Sequence, residues 1–295
     1  MPKRNRRNAL LRAALFWAGY LAFVMASSFA LAMLGVGLGR GHASAGQWCF
    51  GFLMTAFAVL WTRFCLRLEG TRQAAASPGI LSFTMRVCVG LGIGLAIMGC
   101  CYLSLPLLVR GLSYAWAGSR SGYAIPASIS LFLLLSAAEE LGFRGYPMRR
   151  LLEAFGVWPT QLIVAVMFCI YHIAIGWDWR NAIAGTVLAS FLFGMAALVS
   201  PRNLALAIGV HAGVNIATWS IGGQGEAGIW KMVLDPTLAD QAQATGRVAY
   251  ALFMMLGIFG LWRWGRRKGN RGQTFARIPP VIRPSRQLEQ PDGSC

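Results

Sequence analysis

Eight stretches of mostly apolar sequence constrain this chain more than any other feature: residues 13–38, 46–62, 87–109, 123–142, 157–176, 182–199, 204–221 and 248–264. Each is close to the roughly 17 to 25 residues that cross a bilayer as a helix. Backbone groups in hydrocarbon must hydrogen-bond within their own element, so a chain patterned this way folds as a helical bundle. The expectation is an all-α polytopic membrane protein with about eight transmembrane helices. Only 13% of the 295 residues are Asp, Glu, Lys or Arg, against about 25% in soluble domains. That excludes a soluble enzyme, a disordered chain and a secreted disulfide scaffold.

The formal net charge of +17 would point to nucleic acid in a soluble protein, but here the basic residues flank the apolar stretches. Placing the N-terminus inside puts 21 of the 27 Lys and Arg on the inner side, the asymmetry expected of cytoplasmic loops. The expectation is an integral protein of a bacterial inner membrane with both termini cytoplasmic, membrane lipid as partner and no nucleic acid. The stretch 13–38 after MPKRNRR is too long for the apolar core of a signal peptide and reads as a retained first span. Cys49, Cys65, Cys88, Cys100, Cys101, Cys169 and the terminal Cys295 lack CxxC spacing and read as small hydrophobes.

Organisation follows from the same pattern. Residues 1–122 carry the basic N-terminus and spans one to three, 123–265 a helical core, and 266–295 a basic tail with Pro279, Pro280 and Pro284 that reads as disordered on the cytoplasmic side. Gly222 to Arg247 forms the longest outer loop, of mixed charge and without a site-like pattern. Gly90 and Gly94 have the GxxxG spacing of close helix packing, and with Gly92 they lie inside a span rather than in a phosphate loop. Met148, Leu151, Leu152 and Phe155 share one helical face, with Arg149, Arg150 and Glu153 on the other, which predicts a short helix in the inner interface.

Of ten acidic residues only Glu139 and Glu140 lie within or against a span, and of three histidines His172 and His211 lie inside spans five and seven. An ionisable group at the centre of a spanning helix costs about 2.5 to 3.5 kcal/mol on insertion scales, so such groups face a partner or a water-filled cavity. Glu140 and Arg144, at i and i+4, can pair along one face, whereas Glu139 points about 100° away. Phe168 with His172 and His211 with Asn215 repeat the spacing. Singly each has a plain structural use: a helix-end ion pair, a packing phenylalanine, an interhelical hydrogen bond. Together they predict one buried polar site among spans four, five and seven.

Glu139-Glu140-x-x-x-Arg144, Phe168-x-x-x-His172 and His211-x-x-x-Asn215 resemble the three ordered motifs of the CPBP family (CAAX proteases and bacteriocin-processing enzymes, also called ABI). These are intramembrane endopeptidases that include the Ras-converting CAAX endopeptidase. The resemblance covers about Ser136 to Ser220. It implies a peptidase acting on a membrane-associated or lipidated protein or a leader peptide, with Glu140 and Arg144 orienting Glu139.

Peptide hydrolysis needs an activated water, a base and donors for the developing oxyanion. Glu139 is the expected base, His172 a holder of the water, and His211 with Asn215 the oxyanion donors. No cofactor is expected. The alternative is a divalent metal such as zinc held by Glu139, His172 and His211, a His2Glu set known in zinc hydrolases, although no HExxH is present. Depth poses a conflict: counted along the spans as drawn, His172 lies far from Glu139 and His211. Continuation of span four towards Arg149, with a later start to span five, would bring them level in a cavity open to the cytoplasm.

Two other classes compete. A proton- or cation-coupled transporter could use the same carboxylates and histidines, but no corresponding Gly/Pro-broken spans occur in two halves. A catalytically silent immunity or scaffold protein could share the fold; the intact motifs argue against it, although loss of activity need not show in motifs. The chain ends Asp292-Gly-Ser-Cys295, so it is not itself a CaaX substrate.

Overall fold

The computed structural model describes residues 3–36, 44–70, 79–118, 124–201, 203–223 and 228–269. Nine helices account for most of them: α1 (Lys3–Met33), α2 (Ala45–Leu68), α3 (Ile80–Leu108), α4 (Ala124–Glu140), α5 (Tyr146–Phe155), α6 (Val157–Ala174), α7 (Trp179–Val199), α8 (Ala205–Ser220) and α9 (Ala239–Gly269). Each of the eight apolar stretches is helical. Among the described residues seven helical stretches are long and apolar enough to cross a membrane, with α4 and α5 forming one of them, Ile125–Phe155. The stretch that falls short is α8. Its 16 residues rise about 24 Å, less than the roughly 30 Å of hydrocarbon, and nearly all of them are buried. It is a central helix wrapped by the others.

Glycine explains how α8 gets there. A Cβ at Gly90 would run into the Leu206 carbonyl and one at Gly94 into that of Val210; Gly209 and Gly213 meet the α3 backbone at Val87 and Leu91 in return. The GxxxG pair foreseen on α3 therefore has a second pair on α8, and the two backbones touch. Residue 211 lies about 200° round the helix from residue 209. Packing Gly209 and Gly213 on α3 turns His211 towards α4 and α7.

The expected short helix is α5, which continues α4 through a π turn, Leu141–Gly145; on its charged side Glu153 stays exposed while Arg150 is enclosed. Arg150 is buried, pairing with Glu69 of α2 and with Glu153 at 3.2 Å. Glu69 also takes Arg12 of α1 at 3.1 Å and the Tyr146 hydroxyl. A guanidinium neutralised in this way can be enclosed, and α5 packs under α1.

The outer segments contain a feature absent from the sequence reading: β1 (Ser113–Trp116) pairs antiparallel with β2 (Trp230–Val233), with Ser113 opposite Val233 and Trp116 opposite Trp230. Four-residue strands are too short to show a period. The tail starts later than expected, because α9 carries Arg266 to Gly269 as helix; the disorder expected beyond them, like Cys295, lies outside the described residues. The six other cysteines are free thiols.

Candidate active site

The depth conflict resolves without a late start to span five. α6 begins at Val157, as first counted, but α4 and α5 together run to Phe155 and join α6 through the single residue Gly156. Its φ of +75° suits glycine alone among common residues at no steric cost. Measured from that turn, Glu139 lies 17 residues back and His172 16 residues forward, about 25 Å along each helix. The two antiparallel arms bring them level.

The π turn lies directly after the paired glutamates. Such turns concentrate at functional sites because they shift the side chains that follow. Here Arg144 Nη1 donates to Glu140 Oε1 at 3.1 Å, as the i and i+4 spacing predicts, and both side chains are fully buried. Arg144 Nη2 donates to the Ser190 hydroxyl at 2.7 Å and its carbonyl at 3.2 Å, on α7. The guanidinium also lies 4.4 Å from the Phe168 ring centroid and 5.5 Å from that of Phe193, a cation–π enclosure. Two phenylalanines and a serine thus complete what a carboxylate alone would leave unbalanced.

Both histidines have one ring nitrogen committed. His172 Nδ1 lies 2.8 Å from the Phe168 carbonyl. That oxygen can only accept, so Nδ1 carries the proton and Nε2 is the free acceptor. His211 Nδ1 lies 2.9 Å from Glu140 Oε1, and its ring stacks on Phe193 at 4.1 Å and 15°. His211 Nε2 then faces Glu139 Oε2 at 3.7 Å, longer than a hydrogen bond and a span where a water is the first candidate bridge. Glu139 Oε2 is buried without a hydrogen-bond partner. Carboxylate oxygens in that condition are costly unless something else satisfies them.

The structure thus brings together Glu139, Glu140, Arg144, Phe168 and His211, with the His172 ring edge-on to Phe168 at 4.5 Å and against Trp177 at 4.9 Å. Asn215 is half-buried one turn beyond His211 and makes no hydrogen bond among the described residues. No group of three or more His, Cys, Asp or Glu placed to hold a metal occurs among the described residues.

Sequence reasoning missed Tyr20, Ser190 and Phe193. Tyr20 donates to the Ala138 carbonyl at 3.0 Å, and its ring occupies the space that a Cβ at Gly142 would need. It thereby braces the helix on both sides of the glutamates from α1. A tyrosine or serine within an apolar span is common, and nothing in the one-dimensional pattern sets these two apart.

No curated protein matches the chain. Residues 121–217 match the family model described as type II CAAX prenyl endopeptidase Rce1-like, a segment that contains all three motifs and the helices α4 to α7 with most of α8. The chain is an integral membrane protein, and over this third of its length it is similar to CAAX-type intramembrane proteases, which supports the CPBP resemblance of its three motifs.

Proposed function

We propose that the protein is an intramembrane endopeptidase in which Glu139 is the general base for hydrolysis of a peptide bond in a membrane-associated or lipidated protein or a leader peptide. The observation that carries this is the unpartnered, buried Glu139 Oε2 beside His211 Nε2, with His172 Nε2 left free by its bond to Phe168. A water in this space donates one hydrogen to Glu139 and the other to His172. Glu139 takes a proton as the water oxygen bonds to the carbonyl carbon. The oxyanion forms against His211 and Asn215, the C–N bond breaks, and the proton held by Glu139 passes to the leaving amine.

His211 gives its Nδ1 proton to Glu140, so serving the oxyanion requires a second proton on Nε2. Arg144 and Glu140 are positioning residues: they hold His211 and fix the helix that bears Glu139. No metal is assigned a step.

The name of the family that residues 121–217 match points to substrates with a prenylated C-terminus. The experiment compares N- and C-terminal peptides of membrane and exported proteins in a host carrying either the parent protein or Glu139→Gln, by mass spectrometry. Termini present only with the parent identify the substrate and its cleavage site. Identical termini at equal protein abundance, with the substrates expressed, would defeat the peptidase reading.

A further inference from the structure

On the side of Arg144 towards α5 lies a pocket, partly open to its surroundings, lined by Arg144, Arg149, Ser200 and Asn203, with apolar walls that include Met148 and Leu204. No acidic side chain lines it among the described residues. Glu140 is occupied with Arg144 and His211, and the neighbouring Glu153 pairs with Arg150. Two guanidiniums therefore face a space with no counter-charge of its own.

Two further observations point to a ligand. Arg144 is 1% exposed, and its Nε has no hydrogen-bond partner. Asn203 Oδ1 accepts from the Ala205 N–H at 3.0 Å and from the Ser200 hydroxyl at 3.4 Å, which fixes the amide so that its nitrogen is left over; that Nδ2 is buried and unpartnered. Arg86 supports the arrangement, donating to Ser200 at 2.7 Å. The pocket also adjoins the start of α8, where the helix dipole favours negative charge. Arg144 Nε and Asn203 Nδ2 are thus two buried donors on this wall without an acceptor.

We propose that this pocket is an anion subsite that takes the carboxylate end of a peptide, with an adjacent apolar side chain against Met148 and Leu204. A carboxylate matches the planar guanidinium fork. The subsite rests on the peptidase reading for the identity of its occupant, while its donor set stands apart from that reading. The apolar wall of Met148 and Leu204 beside the two guanidiniums suits a peptide carboxylate with its neighbouring apolar side chain. Through Arg144 the subsite is one side chain from Glu140, so an occupant lies next to the residues that position His211.

The test uses Glu139→Gln protein in detergent, which cannot turn over, titrated calorimetrically with N-acetyl-Leu-Leu bearing either a free carboxylate or a C-terminal amide. The carboxylate form should bind at least 10-fold more tightly than the amide. Asn203→Asp keeps the oxygen that caps α8 but puts a carboxylate where the donor stood, and should weaken the carboxylate peptide at least 10-fold; Arg149→Gln should weaken it several-fold. Equal binding of acid and amide, or unchanged affinity in both variants, overturns the subsite. So does binding of dihexanoyl phosphatidylglycerol without binding of the peptide, which would assign the pocket to a lipid phosphate. Peptide binding by a protein whose parent form cleaves nothing would keep the subsite and remove the peptidase, so the two failures are distinguishable.

Discussion

His211 Nδ1 sits 2.9 Å from Glu140 Oε1, and Arg144 Nη1 reaches the same oxygen at 3.1 Å. One buried carboxylate oxygen thus ties α8 to the α4–α5 arm and balances a guanidinium with no other anion in contact with it. Glu139, one residue earlier, makes no hydrogen bond to either; its Oε2 stands 3.7 Å from His211 Nε2.

The adjacent glutamates should therefore fail differently. Glu140→Gln leaves Arg144 without its counter-charge, and breaking a buried pair costs about 3–5 kcal/mol; the melting temperature in detergent should fall sharply along with activity. Glu139→Gln removes only an unpartnered oxygen, so melting should shift little while kcat drops by roughly 10²-fold or more, the scale of general-base catalysis. Measuring melting and kcat on both variants separates them, and an active Glu139→Gln protein would refute Glu139 as base.

Asn215 is half-buried with its amide unengaged, beside His211. If it serves the oxyanion, Asn215→Ala should lower kcat by about 10²–10³-fold, as loss of one oxyanion donor does elsewhere, with KM nearly constant. A purely structural asparagine would instead show in the melting curve and leave the split between kcat and KM unmoved.

Gly94 and Gly92 offer a packing test. A Cβ at Gly94 meets the Val210 carbonyl, whereas one at Gly92 meets nothing within 4 Å. Gly94→Ala should destabilise by about 3 kcal/mol, the upper range of overpacking, and displace His211 on α8. Gly92→Ala should match the parent. Thermal unfolding of the two in the same detergent decides, and equal melting would place the α3–α8 contact elsewhere.

The membrane class, the all-helical architecture and the Gly90 and Gly94 contact were legible in the sequence because hydrophobic length and small-residue spacing are local signals; the count of eight spans was not, since α8 is too short to be one of the seven membrane-length stretches among the described residues. The pairing of Glu140 with Arg144 was legible for the same reason. What escaped depended on partners distant in sequence. The enclosure of Arg150 on α5 depends on Glu69, which arrives from α2 to pair with it. The level of His172 depends on whether the helix stops near residue 142 or runs on to Phe155, and Pro147, which falls in the first turn of α5, reads locally as a stop and not as a continuation. Ser190 and Phe193, which enclose Arg144 and stack His211, sit in an unbroken apolar run where one residue looks like the next.

Metal dependence can be decided through His211, because the two mechanisms require opposite protonation. A metal-bound histidine must be neutral at its ligating nitrogen, while an oxyanion donor must carry a proton there. His211 Nδ1 already serves Glu140, so only Nε2 can fill either role. Under the metal-free mechanism, dialysis against 1,10-phenanthroline should leave kcat within about twofold and the purified protein should contain no stoichiometric zinc. Activity lost to the chelator and restored by zinc alone would instead make Nε2 a ligand. Glu139 and His172 would then be its companions, and Asn215 would remain as the protein's own oxyanion donor.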